Sequence, residues 1–224
     1  MISGRLKAGV LISGTGSNLK ALLDAIASGL LDMEIARVVS NRSEAPGIQH
    51  ALAAGVPVSV LSHKDFADRD AHDIAIAKVL DKDGVELVVL AGYMRILSKG
   101  FTDHFANRMI NLHPSLLPLY KGLDTYNRAL EAGDVETGAS IHFVTHGLDS
   151  GPVIAQVRIP IGPDDDVASL KATLGPMEHK LLVATVGLFC RREITCAEGK
   201  VQFRGVTIKQ PLLLQADGSL AKRS

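Results

Sequence analysis

The stretch Ala8-Gly9-Val10-Leu11-Ile12-Ser13-Gly14-Thr15-Gly16-Ser17 decides the fold class of this 224-residue chain. Its apolar first half has the length of a strand, and its second half is a glycine-rich turn. Asn18 then opens a helical pattern that continues to about Ser28, with apolar side chains on one stripe. A strand that turns through glycines into a helix is the first half of a β-α-β unit, so the sequence predicts an α/β fold.

The alternation of strands and helices continues beyond this stretch. We predict strands at 35–39, 56–61, 87–91 and 109–112, and helices at 46–54, 65–80 and 98–105. The run 87–91 is apolar throughout, which is typical of a strand buried on both faces of a sheet. Right-handed crossovers between such strands build a doubly wound, mostly parallel sheet, a Rossmann-like α/β fold.

After residues 125–132 the pattern changes. The second part of the sequence predicts an antiparallel strand pair at 137–145 and 153–160, a long helical region at 167–189, and short strands with a frayed end from Gly199 onward. We expect Gly175-Pro176 to interrupt the long helical region, because a proline inside a helix costs about 3 kcal/mol. No linker or internal repeat separates these parts, so we expect one domain, 1–224.

Composition and charge exclude several classes of protein. The chain holds 24 Lys and Arg against 24 Asp and Glu, so no general electrostatic attraction draws it to nucleic acid or an anionic membrane. No apolar run reaches about 18 residues, and the N-terminus lacks the apolar core of a signal peptide. Cys190 and Cys196 are too few for a disulfide framework, and their spacing suits no common zinc site. We therefore expect a cytoplasmic enzyme without nucleic-acid or membrane partners.

The glycine loop after the first strand suits an anion. Glycines let the backbone approach a ligand, and the following helix offers free N–H groups and the positive end of its dipole. The loop lacks the Lys of a P-loop and the third glycine of a dinucleotide fingerprint, which favours a monophosphate over ATP or NAD. A tight strand-to-helix turn, with Ser17 or Asn18 as the helix cap, is an equally good interpretation of the same residues.

Asn111-Leu112-His113-Pro114 ends a predicted strand and puts an amide and an imidazole on the same face. An imidazole transfers protons near neutral pH, and an amide can donate to an oxygen that gains negative charge. Asp149, in the turn between the antiparallel strands, is a candidate partner that would raise the pKa of His113. A structural histidine and an ordinary turn aspartate are the alternative interpretations. Because no Ser, Cys or Lys stands out as a nucleophile, we expect a substrate amine to attack.

Four motifs carry a resemblance to a known family. They are Ile12-Ser-Gly-Thr-Gly-Ser-Asn-Leu19, Leu90-Ala-Gly-Tyr-Met-Arg-Ile-Leu97, Asn111-Leu-His-Pro-Ser-Leu-Leu-Pro118 and Leu148-Asp-Ser-Gly-Pro-Val153. Through these motifs, in this order, the chain from about Ala8 to His179 resembles the glycinamide ribonucleotide formyltransferases, folate-dependent enzymes of purine biosynthesis. The resemblance implies their fold and the transfer of a formyl group from 10-formyltetrahydrofolate to the amine of glycinamide ribonucleotide.

The resemblance also implies roles for individual residues. The catalytic residues are expected to be Asn111, His113 and Asp149. The ribonucleotide is expected at Gly16, Ser17, Asn18, Pro114 and Glu178. The folate is expected at Arg69, Met94, Arg95, Ile96, Leu97, Asn111, Thr145, His146, Gly147, Leu148 and Asp149. A phosphate-binding half would then span about 1–110, and a folate-binding and catalytic half about 111–224. No feature demands a metal, the partners are small-molecule substrates, and the chain is expected to be a monomer or homodimer.

Two departures from the family pattern affect the ribonucleotide site. Tyr126 stands where a histidine is common, and Gly175-Pro176 lies next to Glu178. Without the resemblance, Arg69 and Glu178 are ordinary helix-surface charges, and Ile96 and Leu97 form a buried strand exit.

Three rival functions use the same kind of scaffold or site. The main alternative is a formyltetrahydrofolate hydrolase, which would be expected to carry an N-terminal regulatory domain, whereas this chain starts at the first strand. A methionyl-tRNA formyltransferase would add a C-terminal RNA-binding domain. A catalytically silent folate- or phosphate-binding module would not need Asn111, His113 and Asp149 together.

Overall fold

The computed structural model describes residues 4–222. The strands are β1 (Leu6–Ile12), β2 (Met33–Ser40), β3 (Val58–Val60), β4 (Leu87–Leu90), β5 (Met109–His113), β6 (Glu136–Phe143), β7 (Val153–Pro160), β8 (Ile194–Ala197), β9 (Lys200–Phe203), β10 (Val206–Thr207), β11 (Leu212–Leu214) and β12 (Leu220–Ala221). The helices are α1 (Ser17–Ala27), α2 (Gly47–Ala53), α3 (Arg69–Lys82), α4 (Lys99–His104), α5 (Thr125–Glu131) and α6 (Val167–Cys190).

Within the described residues, nine strands form one sheet in the order β12-β11-β7-β6-β5-β4-β1-β2-β3. The five strands from β5 to β3 in this order are parallel to one another. β6 then runs antiparallel to both β5 and β7, and β11 lies parallel to β7. The prediction of a doubly wound, mostly parallel sheet with an antiparallel pair is therefore confirmed.

Helices cover both faces of the parallel part of the sheet because its strands alternate apolar side chains between two cores. Helices α1 and α6 pack together over the first core, and α3 and α4 pack together over the second. In β5, Met109 belongs to the second core and Ile110 to the first. By the same alternation, Asn111 and His113 are directed to the second face of the sheet.

The start of α3 differs from the prediction. A helix was expected from residue 65, but His63–Asp65 form a separate 3₁₀ turn and α3 begins at Arg69. Ser62 caps the short turn, and the Asp68 side chain accepts from Ala71 N at 2.8 Å. The two caps divide this stretch into a 3₁₀ turn and a helix. Each cap accepts from a free N–H group in the first turn of its own element.

Helix α6 (Val167–Cys190) runs without a break, so the expected interruption at Gly175-Pro176 is wrong. The missing N–H of Pro176 frees the carbonyl of Ala172, one turn earlier. Both residues are exposed, so water can reach this turn and bond that carbonyl. Beyond it, Leu181 and Val186 are completely buried, and this apolar contact holds the helix together across the proline.

The tail forms more structure than the sequence indicated. Strands begin at Ile194, before Gly199, and β8, β9 and β10 make a small antiparallel sheet. β11 was not predicted to join the main sheet, since a three-residue strand that pairs with a distant strand has no local signal. The last two residues of the expected frayed end lie outside the described residues. No helix within 4–222 combines the length and the apolar character that a membrane crossing requires.

Candidate active site

The site lies where the strand order of the parallel sheet reverses. From β1 the chain moves to β2 on one side, and it later returns to β4 and β5 on the other. Ligands of doubly wound sheets bind at the carboxyl ends of the strands at such a switch point. Three segments meet this edge: the glycine loop (residues 13–16) after β1, the 91–98 loop after β4, and the end of β5.

The glycine loop is shaped by a close backbone approach. Gly16 has a φ of 72°, and a Cβ atom on it would lie 2.5 Å from Gly47 Cα in α2. Gly47 N donates to Gly14 O at 3.0 Å, which fixes the loop against α2. Only glycine allows both the left-handed backbone and this contact.

No side chain caps the N-terminus of α1, where Gly16 is the N-cap residue. The interpretation of Ser17 or Asn18 as a helix cap is therefore wrong. Ser17 is exposed, and Asn18 is half-buried with an amide oxygen that has no hydrogen-bond partner among the described residues. Amide oxygen and nitrogen positions can be exchanged by rotation, so this buried end can donate to an anion as well as accept. Uncapped N–H groups and a free amide fit a phosphate.

Asn111 and His113 converge on a group that the sequence did not indicate. His142 lies opposite Asn111 in the β5–β6 pairing, and Asn111 Nδ2 is 3.2 Å from His142 Nε2. His142 is buried, and its Nδ1 is 2.9 Å from Phe143 O. The amide of Asn111 carries two hydrogens, so one N–H is left for a substrate oxygen. The sequence places His142 on a predicted strand, on the same face as Ser140. Which residue His142 contacts depends on the register between β5 and β6, which the sequence does not show.

Asp149 joins the two histidines. Its Oδ2 is 3.4 Å from His113 Nδ1, and its Oδ1 is 3.6 Å from His142 Nε2. Gly122 N donates to Oδ2 at 2.9 Å. Burial alone would raise the pKa of Asp149, but the proximity of His142, the hydrogen bond from Gly122 N and the proximity of His113 outweigh it, so the pKa lies below its ordinary value. The carboxylate is therefore ionised at neutral pH.

Asp149 raises the pKa of His113, as expected, but the net shift of that pKa is downward. His113 is 5% exposed, and this burial lowers its pKa by more than Tyr120 O and Asp149 raise it. His113 Nε2 is 2.9 Å from Tyr120 O, a group that can only accept. The neutral ring therefore carries its hydrogen on Nε2, which leaves Nδ1 beside Asp149 as the atom that can take up a proton.

A buried polar network supports the segment after His113. Ser140 Oγ donates to Ser115 O at 2.7 Å and accepts from Leu117 N at 3.0 Å. Gln156 Nε2 donates to Leu117 O, also at 3.0 Å. Pro114, half-buried, lies at the start of this braced segment. The bonds connect residues 115–117 to β6 and β7.

Glu178 lies on α6 and meets Tyr126 of α5. The Tyr126 hydroxyl donates to Glu178 Oε1 at 3.3 Å. Burial raises the pKa of Glu178, and the hydrogen bond from Tyr126 opposes the rise without cancelling it. Burial and the neighbouring carboxylate likewise raise the pKa of the Tyr126 hydroxyl. The tyrosine that replaces the common histidine is therefore a neutral hydrogen-bond donor to a partly shielded carboxyl.

The 91–98 loop divides its side chains between the core and the solvent. Met94 and Ile96 are 63% and 56% exposed, whereas Tyr93 and Leu97 are buried in the second core. Arg95 is half-buried, and its Nε has no hydrogen-bond partner within residues 4–222. Exposed apolar side chains next to a switch point form a wall that a flat heterocycle can cover. The burial of Leu97 agrees with its alternative interpretation as part of a buried strand exit.

The 145–150 loop begins after Val144, which packs on the same apolar core as Tyr93 and Leu97 of the 91–98 loop. The four residues that follow, Thr145, His146, Gly147 and Leu148, are exposed. A Cβ atom on Gly122 would lie 3.6 Å from Leu148 Cδ2, so the loop also rests on the segment after β5. Arg69 is exposed at the first position of α3, which is compatible both with a folate contact and with a solvated helix charge.

The sequence and structure together define the class of protein. Residues 6–186 match the model of the formyl transferase family, so the chain belongs to the formyl transferase family. Among its relatives, the phosphoribosylglycinamide formyltransferase of Haemophilus influenzae is 42% identical over 183 residues, which cover 82% of this chain and 86% of that protein. The trifunctional purine biosynthetic protein adenosine-3 of Drosophila melanogaster is 46% identical over 182 residues, which are 80% of this chain and only 14% of that protein.

Solved structures show the same relationship. The phosphoribosylglycinamide formyltransferase of Coxiella burnetii, in complex with CHES, has a TM-score of 0.89 and 39% identity, covering 97% of this chain and 99% of that chain. A formyltetrahydrofolate deformylase from Pseudomonas syringae has a TM-score of 0.83 at 24% identity, covering 90% of this chain and 66% of that chain, and so shares the fold.

Proposed function

We propose that this enzyme transfers a formyl group from 10-formyltetrahydrofolate to the amine of glycinamide ribonucleotide, a step of purine biosynthesis. The observation that carries the proposal is the cluster of Asn111, His113, His142 and Asp149, beside an uncapped glycine loop at the sheet's switch point. The sequence identity to named phosphoribosylglycinamide formyltransferases supports the choice of substrate. As a monomer or homodimer, the enzyme would act in the cytoplasm and bind only small molecules.

The two substrates are proposed to bind on either side of this cluster. Gly16, Ser17 and Asn18 would hold the ribonucleotide phosphate on the N-terminus of α1, and Glu178 would contact the sugar. The pterin would lie on the wall of Met94 and Ile96, facing the 145–150 loop. Arg95 has a buried Nε without a partner in residues 4–222, which supports its placement at a polar part of the folate.

The chemistry follows from the charges and hydrogens of the cluster. The substrate amine attacks the formyl carbon and forms a tetrahedral adduct whose oxygen becomes negative. Asn111 donates its remaining N–H to that oxygen, a contact worth about 10²–10³ in turnover in comparable oxyanion sites. Holding the two substrates together adds a larger factor, since effective molarities reach about 10⁵ M or more for well-oriented groups.

The proton moves through His113. In the free enzyme His113 is neutral, and its Nδ1 takes up the proton that the amine loses, directly or through Asp149 or a water. The imidazolium that forms lies 3.4 Å from the Asp149 carboxylate and stabilises the oxyanion by its charge. The same proton then passes to the folate nitrogen as the carbon–nitrogen bond to the folate breaks, which restores the neutral ring and releases tetrahydrofolate and the formylated amide.

The decisive experiment follows the formation of tetrahydrofolate from 10-formyltetrahydrofolate with and without glycinamide ribonucleotide. The proposal predicts turnover that requires the ribonucleotide, with a formylated product in equal amount. Ribonucleotide-independent turnover would instead identify the hydrolase, in which water replaces the amine. Binding of either ligand without turnover would identify a silent binding module. Both of these outcomes contradict the proposal.

A further inference from the structure

The 91–98 loop is held at both ends by buried polar side chains. At its start, Ser13 Oγ accepts from Met94 N at 2.8 Å and donates to Asn41 Oδ1 at 2.6 Å. At its end, Ser98 N donates to Asp73 Oδ2 at 2.6 Å. In this second bond, a carboxylate of helix α3 accepts from the backbone of a segment that is distant in sequence.

Asp73 belongs to a pair that is shielded from water. Asp73 is 2% exposed and His72 is completely buried. His72 Nδ1 is 3.2 Å from Asp73 Oδ1, and its Nε2 is 2.9 Å from Leu61 O. Nε2–H donates to the carbonyl, and Nδ1 lies within hydrogen-bond distance of Oδ1. All four polar atoms of the two side chains are thus engaged.

These positions on α3 would ordinarily be apolar. His72, Asp73, Ile76 and Leu80 form the buried face of the helix. Leucines at the first two positions would dock the helix on the sheet without the desolvation that a buried carboxylate and imidazole require. The polar pair instead fixes a position, because the buried Asp73 carboxylate accepts from one particular backbone N–H. Loss of either partner would leave a buried polar group without a hydrogen bond.

We infer that His72 and Asp73 are a positioning pair for folate binding: they fix Ser98 N and so hold the 91–98 loop, with Met94 and Ile96, in the shape that receives the pterin. Leu61 O orients His72, His72 orients Asp73, and Asp73 holds the loop. Neither residue touches substrate. The inference rests on the proposed function for the identity of the ligand.

Two variants of Ser98 test the hydrogen bond from Ser98 N to Asp73 separately from the other bonds of Ser98. Ser98 has a φ of −68°, which proline accepts, so Ser98→Pro removes the N–H that donates to Asp73. Ser98→Ala removes only the side-chain cap of α4 and keeps that N–H. We expect Ser98→Pro to raise the KM for 10-formyltetrahydrofolate by about tenfold over Ser98→Ala, with the KM for the ribonucleotide changed by less than about twofold.

Variants on α3 provide the second test. Asp73→Ala should raise the folate KM in the same way. Asp73→Asn should raise it much less, because its amide oxygen can still accept from Ser98 N. Leu80→Ala is the matched control, since Leu80 is equally buried on α3 but faces Gly9 and Val85 at the far end. It should lower the melting temperature without changing the folate KM. An equal folate KM effect in Leu80→Ala, or none in Asp73→Ala, would overturn the inference.

A third measurement needs neither substrate. Amide hydrogen exchange of residues 91–98 should be faster in Ser98→Pro than in Ser98→Ala, while exchange in β1 and β5 stays as in the wild type. Unchanged exchange in the loop contradicts the positioning role even if the wild-type protein transfers formyl groups. If exchange in the loop is faster in Ser98→Pro but the wild-type protein does not transfer formyl groups, the proposed function is refuted. The role of His72 and Asp73 in holding the 91–98 loop is then still supported.

Discussion

Replacing Asp149 by asparagine tests the electrostatics of the site with the smallest change in shape. In the variant Asp149→Asn, the amide oxygen can still accept from Gly122 N, so the 145–150 loop should keep its place. What disappears is the negative charge 3.4 Å from His113 Nδ1. The imidazolium that forms during the reaction then loses its counter-charge, whereas the neutral ring of the free enzyme loses little.

The distance sets the size of the effect. At an effective dielectric constant of about 20, two unit charges separated by this distance attract each other by about 5 kcal/mol. Both charges are delocalised and the Asp149 side chain is 11% exposed, so we take about 3 kcal/mol as the realised part. This corresponds to a fall in turnover of about 10²-fold. Removal of Asp149 also lowers the pKa of His113 further, because its charge opposes the effect of burial.

The assay is ribonucleotide-dependent formation of tetrahydrofolate, measured as kcat and both KM values across pH 5–9. Ser150→Ala is a suitable control: it alters the same loop, where Ser150 Oγ donates to Leu148 O, without changing charge. The variant Asp149→Asn should lose turnover, and the acid limb of its kcat/KM profile should shift to lower pH. Turnover within a few-fold of Ser150→Ala would refute the role of Asp149 as the counter-charge.

Three further predictions concern other parts of the site. Asn111→Ala and His113→Ala should each lose at least about 10²–10³ in turnover while calorimetry still detects folate binding; near-normal turnover in either would sink its assignment. Gly16→Ala should cost more than about 1 kcal/mol in thermal unfolding and raise the ribonucleotide KM, and an unchanged KM would contradict the phosphate site. Tyr126→Phe should raise the pKa of Glu178 further, because the lost hydrogen bond favours the ionised carboxyl. Its stability loss, about 1 kcal/mol, should therefore be smallest in acid, where the carboxyl is protonated, and grow as the pH rises through the folded pKa of Glu178; a loss independent of pH would contradict this.

The elements that could be predicted from the sequence are those whose signals are local. The glycine turn after β1 and the apolar run of β4 each carry a pattern within a few residues. The start of α3 could not be placed in the same way, because Ser62 and Asp68 both offer caps and only the packed structure shows which one begins the helix. The effect of Pro176 on α6 could not be predicted for a related reason. The lost hydrogen bond is a local feature, but the burial of the helix that offsets it depends on the whole fold.

The candidate site shows the same division. Asn111 and His113 share a strand, so their common face follows from chain geometry, and Asp149 follows from a turn motif. His142 was missed because its contact with Asn111 depends on the β5–β6 register, which pairs residues far apart in sequence. The direction of the pKa of His113 could not be predicted either, because burial is a property of the folded chain. The roles assigned to the site residues and the two proposed halves of the domain stay predictions.

The hydroxyl of Ser13 stands between the two proposed subsites. It belongs to the glycine loop beside the phosphate site, and it accepts from Met94 N in the wall proposed for the pterin. A shift of one loop therefore changes the hydrogen bond of the other. If the ribonucleotide strengthens folate binding through this atom, folate must strengthen ribonucleotide binding by the same factor, because the coupling free energy belongs to the pair of sites. The enzyme would then favour the ternary complex over either binary one.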